Sequence, residues 1–204
     1  MQTEVSVKQI LVMALSIQAV VAAVAWAGLY FSRIDVSWGI GSAPLYIALG
    51  ITGALVSYWI ARAITVSNSD FGATLRDHCK KLHLAFRHLN WWQIAVLALA
   101  AGVCEELLFR GFLQPWIASL FTPSAPIVGL VVASVVFGLL HYASFIYFLI
   151  TAVMGLVLGL VYWLSESLLA VVVWHGVYDL IALGVLAKFP QRLGVYPDVV
   201  DKPR

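Results

Sequence analysis

Apolar stretches near twenty residues long follow one another through most of this chain, at about 7–31, 40–64, 91 through 105, 126–142, 145–164 and 168–187. Each approaches the ~20 residues an α-helix needs to cross a ~30 Å hydrocarbon layer. A soluble fold of this size cannot bury so much apolar surface. The 204 residues are 62% hydrophobic and only 11% charged, where an ordinary soluble domain is about 25% charged. The sequence therefore predicts an all-α fold, a polytopic transmembrane helix bundle of about six spans. Residues 1–190 read as one membrane-embedded domain, with the motif-bearing spans over about 91–187 and a loose cytoplasmic tail over 191–204. The first stretch is too long for the 7–15-residue core of a signal peptide.

The one long polar connection lies between the second and third spans. Phe71, Leu75, Leu82, Phe86 and Leu89 fall on one helical stripe, with Arg76, Lys80, His83 and Arg87 mostly opposite. This predicts an amphipathic helix over about 70–90, lying in the membrane interface and started by Asp70. A partner-binding helix is the rival reading. Trp91 and Trp92 follow where an aromatic belt belongs. His78, His83 and His88 alternate with basic residues, as on a solvated face. Lys and Arg are concentrated in the N-terminus, the 62–87 region and the C-terminus, which predicts that both chain ends are cytoplasmic. A formal net charge of +2 and the absence of a basic run interleaved with aromatics argue against nucleic acid.

Against this apolar background the ionisable residues stand out. Glu105, Glu106, Arg110, His141, His175 and Asp179 lie in or near the spans. A charge at the centre of a span costs about 2.5–3.5 kcal/mol, so such residues pair or work. Glu106 and Arg110 are four apart on one helix face and can form an ion pair. Glu105 is rotated about 100° away and has no local cation. An unpaired glutamate in a dry site can act as acid or base near neutral pH. His175 and Asp179 are also four apart, a spacing at which a carboxylate can fix an imidazole's tautomer. His141, one turn after Phe137, must find its partner on another helix.

The economical inference is that positions 105–110, 141 and 175–179 converge. Depth along six complete spans argues the other way. At 1.5 Å per residue, Glu105 falls roughly 21 Å from the inner edge, His175 roughly 16 Å, and His141 and Asp179 roughly 8–10 Å. A spread of about 13 Å on that scale exceeds one site unless helices tilt or span ends shift. Cys79 and Cys104 are poorly placed for a disulfide, and Cys104 reads as a packing residue. Gly155 and Gly159, four apart, suit close helix approach.

Three ordered motifs carry a resemblance: Glu105-Glu106-Leu-Leu-Phe-Arg110, Phe137-Gly-Leu-Leu-His141 and His175-Gly-Val-Tyr-Asp179. Together they resemble the signature of the CAAX protease and bacteriocin-processing family, also called CPBP or Abi. The resemblance implies an intramembrane glutamate endopeptidase, acting on a membrane-associated peptide or protein without metal or other cofactor. It implies that Glu105 and His141 activate a water, that His175 and Asp179 help stabilise the oxyanion, and that Glu106, Arg110 and Phe137 support the site. Eukaryotic prenyl-protein members carry Asn where this chain has Asp179. An ionised Asp cannot donate a hydrogen bond to an oxyanion, so Asp179 must carry its proton there or orient His175.

Two other readings stay open. Glu105, His141, His175 and Asp179 are chemically plausible zinc ligands for a membrane metallopeptidase, although no HExxH pair is present. Alternatively, the chain is a non-catalytic membrane scaffold or bacteriocin-immunity-type protein, and the polar cluster holds the bundle together or binds a partner.

Overall fold

A computed structural model describes residues 6–121 and 126–196. Among these residues the fold is entirely helical. Helix α1 spans Val7–Ser32, α2 Ala43–Val66, α3 Asp70–Phe86 and α4 Trp91–Glu106. A π-helical turn, Leu107–Leu113, joins α4 to α5, Gln114–Leu120. Then come α6 (Pro126–Leu140), α7 (Phe145–Ser165) and α8 (Leu168–Lys188). Helix α4, the π turn and α5 run on as one rod, Trp91–Leu120.

Among the described residues, five helices are long and apolar enough to cross a membrane: Val7–Ser32, Ala43–Val66, Trp91–Leu120, Phe145–Ser165 and Leu168–Lys188. The remaining expected span, at 126–142, is instead the 15-residue α6. At 1.5 Å per residue it measures about 22 Å, short of a full crossing. Large apolar side chains such as Val20, Trp26, Leu55 and Trp59 point outward, as lipid-facing surfaces require. The protein is a polytopic integral membrane helix bundle.

Small residues set the helix spacing. A Cβ on Gly53 would lie 2.1 Å from the Trp174 ring, so α2 and α8 meet at a glycine. A Cβ on Gly102 would lie 2.8 Å from the backbone nitrogen of Gly176, bringing α4 and α8 nearly backbone to backbone. Gly155 and Gly159 do the same for α7, the first against Ser134 and the second against Leu130 of α6. Helix α8 therefore packs between α2 and α4, and Ala54, Leu158, Leu168, Val171 and Trp174 form one buried cluster around it.

The polar connection folds as expected into a helix, with three corrections. Its N-cap is Ser69, whose Oγ accepts from Gly72 N at 3.1 Å, and Asp70 is the first helical residue. Two of its histidines turn inward rather than to solvent. The ring of His78 lies 4.2 Å from that of Tyr147, and His83 Nδ1 is 2.8 Å from the carbonyl of Leu186. Arg76 also turns back, donating to the carbonyls of Thr65 and Ser67 at the end of α2. The cause is crowding: α3 lies against α2 and α8, so its polar residues satisfy the neighbours' exposed carbonyls. The chain after α8 is packed, not loose, as far as it is described. Leu193 and Val195 are buried against Leu82, Phe86 and Leu186. The rest of the expected tail, 197–204, lies outside the described residues.

Candidate active site

Helix α4 begins at a capping box. Asn90 Oδ1 accepts from Gln93 N at 3.0 Å, and Gln93 Oε1 accepts from Asn90 N at 2.9 Å. From that fixed start the helix carries Glu105 and Glu106 as its last two residues, immediately before the π turn. Such turns are frequent at functional sites because the widened coil redirects side chains. This one carries Arg110.

Glu106 and Arg110 form the expected ion pair. Arg110 Nη1 donates to Glu106 Oε1 at 2.8 Å, and Arg110 Nη2 donates to the carbonyl of Gly155 at 2.9 Å. Glu106 is 0% and Arg110 1% exposed. Burial on this scale is tolerated only where charges are paired and hydrogen-bonded. The guanidinium also lies over the Phe137 ring, 5.0 Å from its centroid. Phe137 packs edge-on against Phe109, tilts against His141 and meets His175 edge-on. It is the apolar block around which the cation and both imidazoles are arranged.

The three sequence clusters come together. His141 Nε2 lies 3.6 Å from Glu105 Oε2, and His175 Nε2 lies 4.0 Å from the same oxygen. Asp179 Oδ2 is 3.6 Å from His175 Nε2. Whatever the spread in depth expected along straight spans, these distances put His141, in the turn after α6, and Asp179, on α8, beside Glu105 and His175. The carboxylate that orients His175 is Glu106, not Asp179. His175 Nδ1 is 2.7 Å from Glu106 Oε1, whereas Asp179 stands by the other ring nitrogen.

Hydrogen-bond chemistry fixes one tautomer. His141 Nδ1 is 2.8 Å from the carbonyl of Phe137. A carbonyl only accepts, so Nδ1 carries the hydrogen, and in the neutral ring Nε2 presents its lone pair towards Glu105. One further polar residue, Gln18 on α1, joins the cluster by donating from Nε2 to Glu105 Oε1 at 2.7 Å. Sequence reasoning missed it; its only signal was a lone amide in a long apolar run.

These groups line a cavity of about 350 Å³. Gln18, Glu105, His141, His175 and Asp179 supply its polar wall. Leu82 and Phe86 of α3 and Ile150 and Met154 of α7 supply apolar surface. Among the described residues, no group of three or more His, Cys, Asp or Glu side chains is arranged to hold a metal ion.

Residues 87–181 match the family described as Type II CAAX prenyl endopeptidase Rce1-like. Over that stretch, a little under half of its length, the chain is similar to this family. All three motifs and Phe137 fall inside the Rce1-like region, while α1, α2 and α3 lie before it. The family is one of proteases, and the chain is accordingly CAAX-protease-like, which supports a CAAX-type intramembrane protease in general terms. A peptide or protein substrate at the membrane follows from the same resemblance. Comparison with curated proteins and with solved structures returned no match.

Proposed function

We propose that this protein is an intramembrane endopeptidase that hydrolyses a peptide bond by metal-independent attack of a water activated by Glu105 and His141. The observation that carries this is the 3.6 Å separation of Glu105 Oε2 from His141 Nε2 on the wall of the cavity. Two acceptors at that spacing suit one water that donates to both. Removal of its proton as it attacks a carbonyl carbon is general-base catalysis.

His175 completes the arrangement. With Nδ1 held by Glu106, its Nε2 faces the cavity beside Glu105 and Asp179. A protonated His175 would offer an N–H to the developing oxyanion, which is usually the largest single source of transition-state stabilisation. Asp179, carrying a proton, would add a second donor, or else it would hold the imidazolium. Glu106 and Arg110 keep the ring in place, and Phe137 fills the space between them.

The family's prenylated substrates make a peptide with a lipidated cysteine the first candidate for this chain. An apolar groove of about 470 Å³ between α2 and α7 supports that reading. It shares Ile150, Met154 and Tyr178 with the polar cavity. The basic residues favour an orientation with both ends cytoplasmic and α3 in the inner interface, and residues 1–190 functioning as one membrane domain.

The deciding experiment is cleavage by protein in liposomes, read by mass spectrometry, on prenylated and unprenylated membrane peptides with and without chelator. Products from wild type, none from Glu105→Ala or His141→Ala, and no chelator effect are expected. Chelator-sensitive cleavage would move the mechanism to a metallopeptidase. Cleavage that survives Glu105→Ala would overturn the assignment of the base.

A further inference from the structure

We propose that Gln18 is a positioning residue that holds the carboxylate of Glu105, so that one oxygen is engaged and the other is presented to the reacting water. The inference deepens the reading of Glu105 as general base and rests on it. It concerns a helix outside the Rce1-like stretch of 87–181.

Gln18 Nε2 lies 2.7 Å from Glu105 Oε1, across 87 residues of chain. A carboxylate has only acceptors, so the amide must turn its nitrogen to it. Oε1 is thereby occupied, and Oε2 is the oxygen that lies 3.6 Å from His141 and 4.0 Å from His175. Oε2 accepts no hydrogen bond from any described residue. Without Gln18, rotation about the last side-chain torsion would exchange the two oxygens, because that torsion is broad and roughly two-fold.

The amide is delivered from a well-seated helix. Leu11, Ala14 and Leu15, just before Gln18, pack against the cluster of Leu89, Ile94, Leu97 and Ala187. Further along, a Cβ on Gly28 would lie 2.4 Å from the Phe112 ring, so α1 closes tightly on the π turn. Gln18 lies between these two contacts, on the cavity wall beside Ala14. An amide in an apolar helix is costly unless hydrogen-bonded, and Glu105 is its partner.

The test uses full-length protein in liposomes and has two arms. The first needs no substrate. Dicyclohexylcarbodiimide, a membrane-soluble reagent for protonated carboxyl groups, is applied at pH 7 and adducts at Glu105 are quantified by peptide mass spectrometry. Removing a hydrogen bond to a charged group should raise labelling of Glu105 in Gln18→Leu on the order of tenfold. The isosteric Gln18→Glu should raise it at least as much, since two facing carboxyls share a proton. The second arm is the cleavage assay, where kcat should fall on the order of tenfold in Gln18→Leu with KM little changed.

Unchanged labelling in both variants, each folded by size exclusion and thermal unfolding, would overturn the proposal. If Gln18→Leu does not fold, Gln18→Glu alone decides by the same labelling. Altered labelling in a protein that cleaves nothing would keep the positioning role and refute the peptidase. Cleavage by wild type with both variants unaffected in labelling and kcat would do the reverse.

Discussion

The ring of His175 is held through Nδ1 by Oε1 of Glu106, at 2.7 Å. The same oxygen receives Arg110 Nη1 at 2.8 Å, so one buried carboxylate oxygen ties α8 to the α4 rod. Removing one partner of such a pair leaves an uncompensated charge, a loss of about 3–5 kcal/mol. Glu106→Gln and Arg110→Met should each destabilise the protein on that scale. The double variant should recover most of the stability, because neither charge remains, yet it should not recover cleavage, because His175 has lost its charged anchor. Unfolding titrations of the four proteins give the cycle. Single-variant losses that simply add would show that the two residues are not coupled.

Glycine packing gives a second prediction, on α4 and α8. A Cβ at Gly102 meets the Gly176 backbone at 2.8 and 2.9 Å, which neither helix can relieve by moving a side chain. A Cβ at Gly176 meets only the carbonyl of Ala98, at an ordinary 3.5 Å. Gly102→Ala should therefore cost about 1–3 kcal/mol, as overpacking does, and should reduce cleavage by separating Glu105 from His175. Gly176→Ala should be close to neutral in stability. Equal effects from the two substitutions would show that helix spacing here is not set by Gly102.

A third prediction concerns pH and α3. Burial pushes His78 below its ordinary value, and the nearby charge of Lys81 pushes it the same way. Below about pH 6.5 the unfolded chain then binds a proton that the folded chain takes up only at lower pH. Stability falls as pH drops through that window and is regained as pH rises. His78→Phe, which can keep the ring contact with Tyr147, should flatten this part of the stability profile. Thermal unfolding of both proteins between pH 5 and 7.5 measures it; parallel profiles would show that His78 does not contribute.

Most of the bundle was legible because lipid leaves a chain few choices: long apolar runs become helices, and their ends fell within a few residues of expectation. The pair Glu106–Arg110 was legible because four-residue spacing is geometry local to one helix. What joins different helices was not. Nothing within 175–179 shows that His175 takes its carboxylate from Glu106 rather than Asp179, since that depends on how α8 meets α4 at Gly102 and Gly176. Helix α6 ends at Leu140, two residues before the expected end of that span. Gln18 had no motif to mark it, because its partner lies 87 residues away.

Asp179 offers the sharpest test of the proposed chemistry. Its Oδ2 is 3.6 Å from His175 Nε2 on the cavity wall. If the group at this position donates to the oxyanion, an amide can replace a protonated carboxyl, since both offer a hydrogen. Asp179→Asn should then stay within about tenfold of wild type, whereas Asp179→Leu should lose about 10²–10³ in kcat, the usual effect of deleting one oxyanion donor. If the carboxylate instead serves to hold His175 protonated, Asn should be nearly as damaging as Leu. Steady-state cleavage by the three proteins separates the two roles: an active Asn variant assigns position 179 to the oxyanion, and an inactive one assigns it to the imidazole.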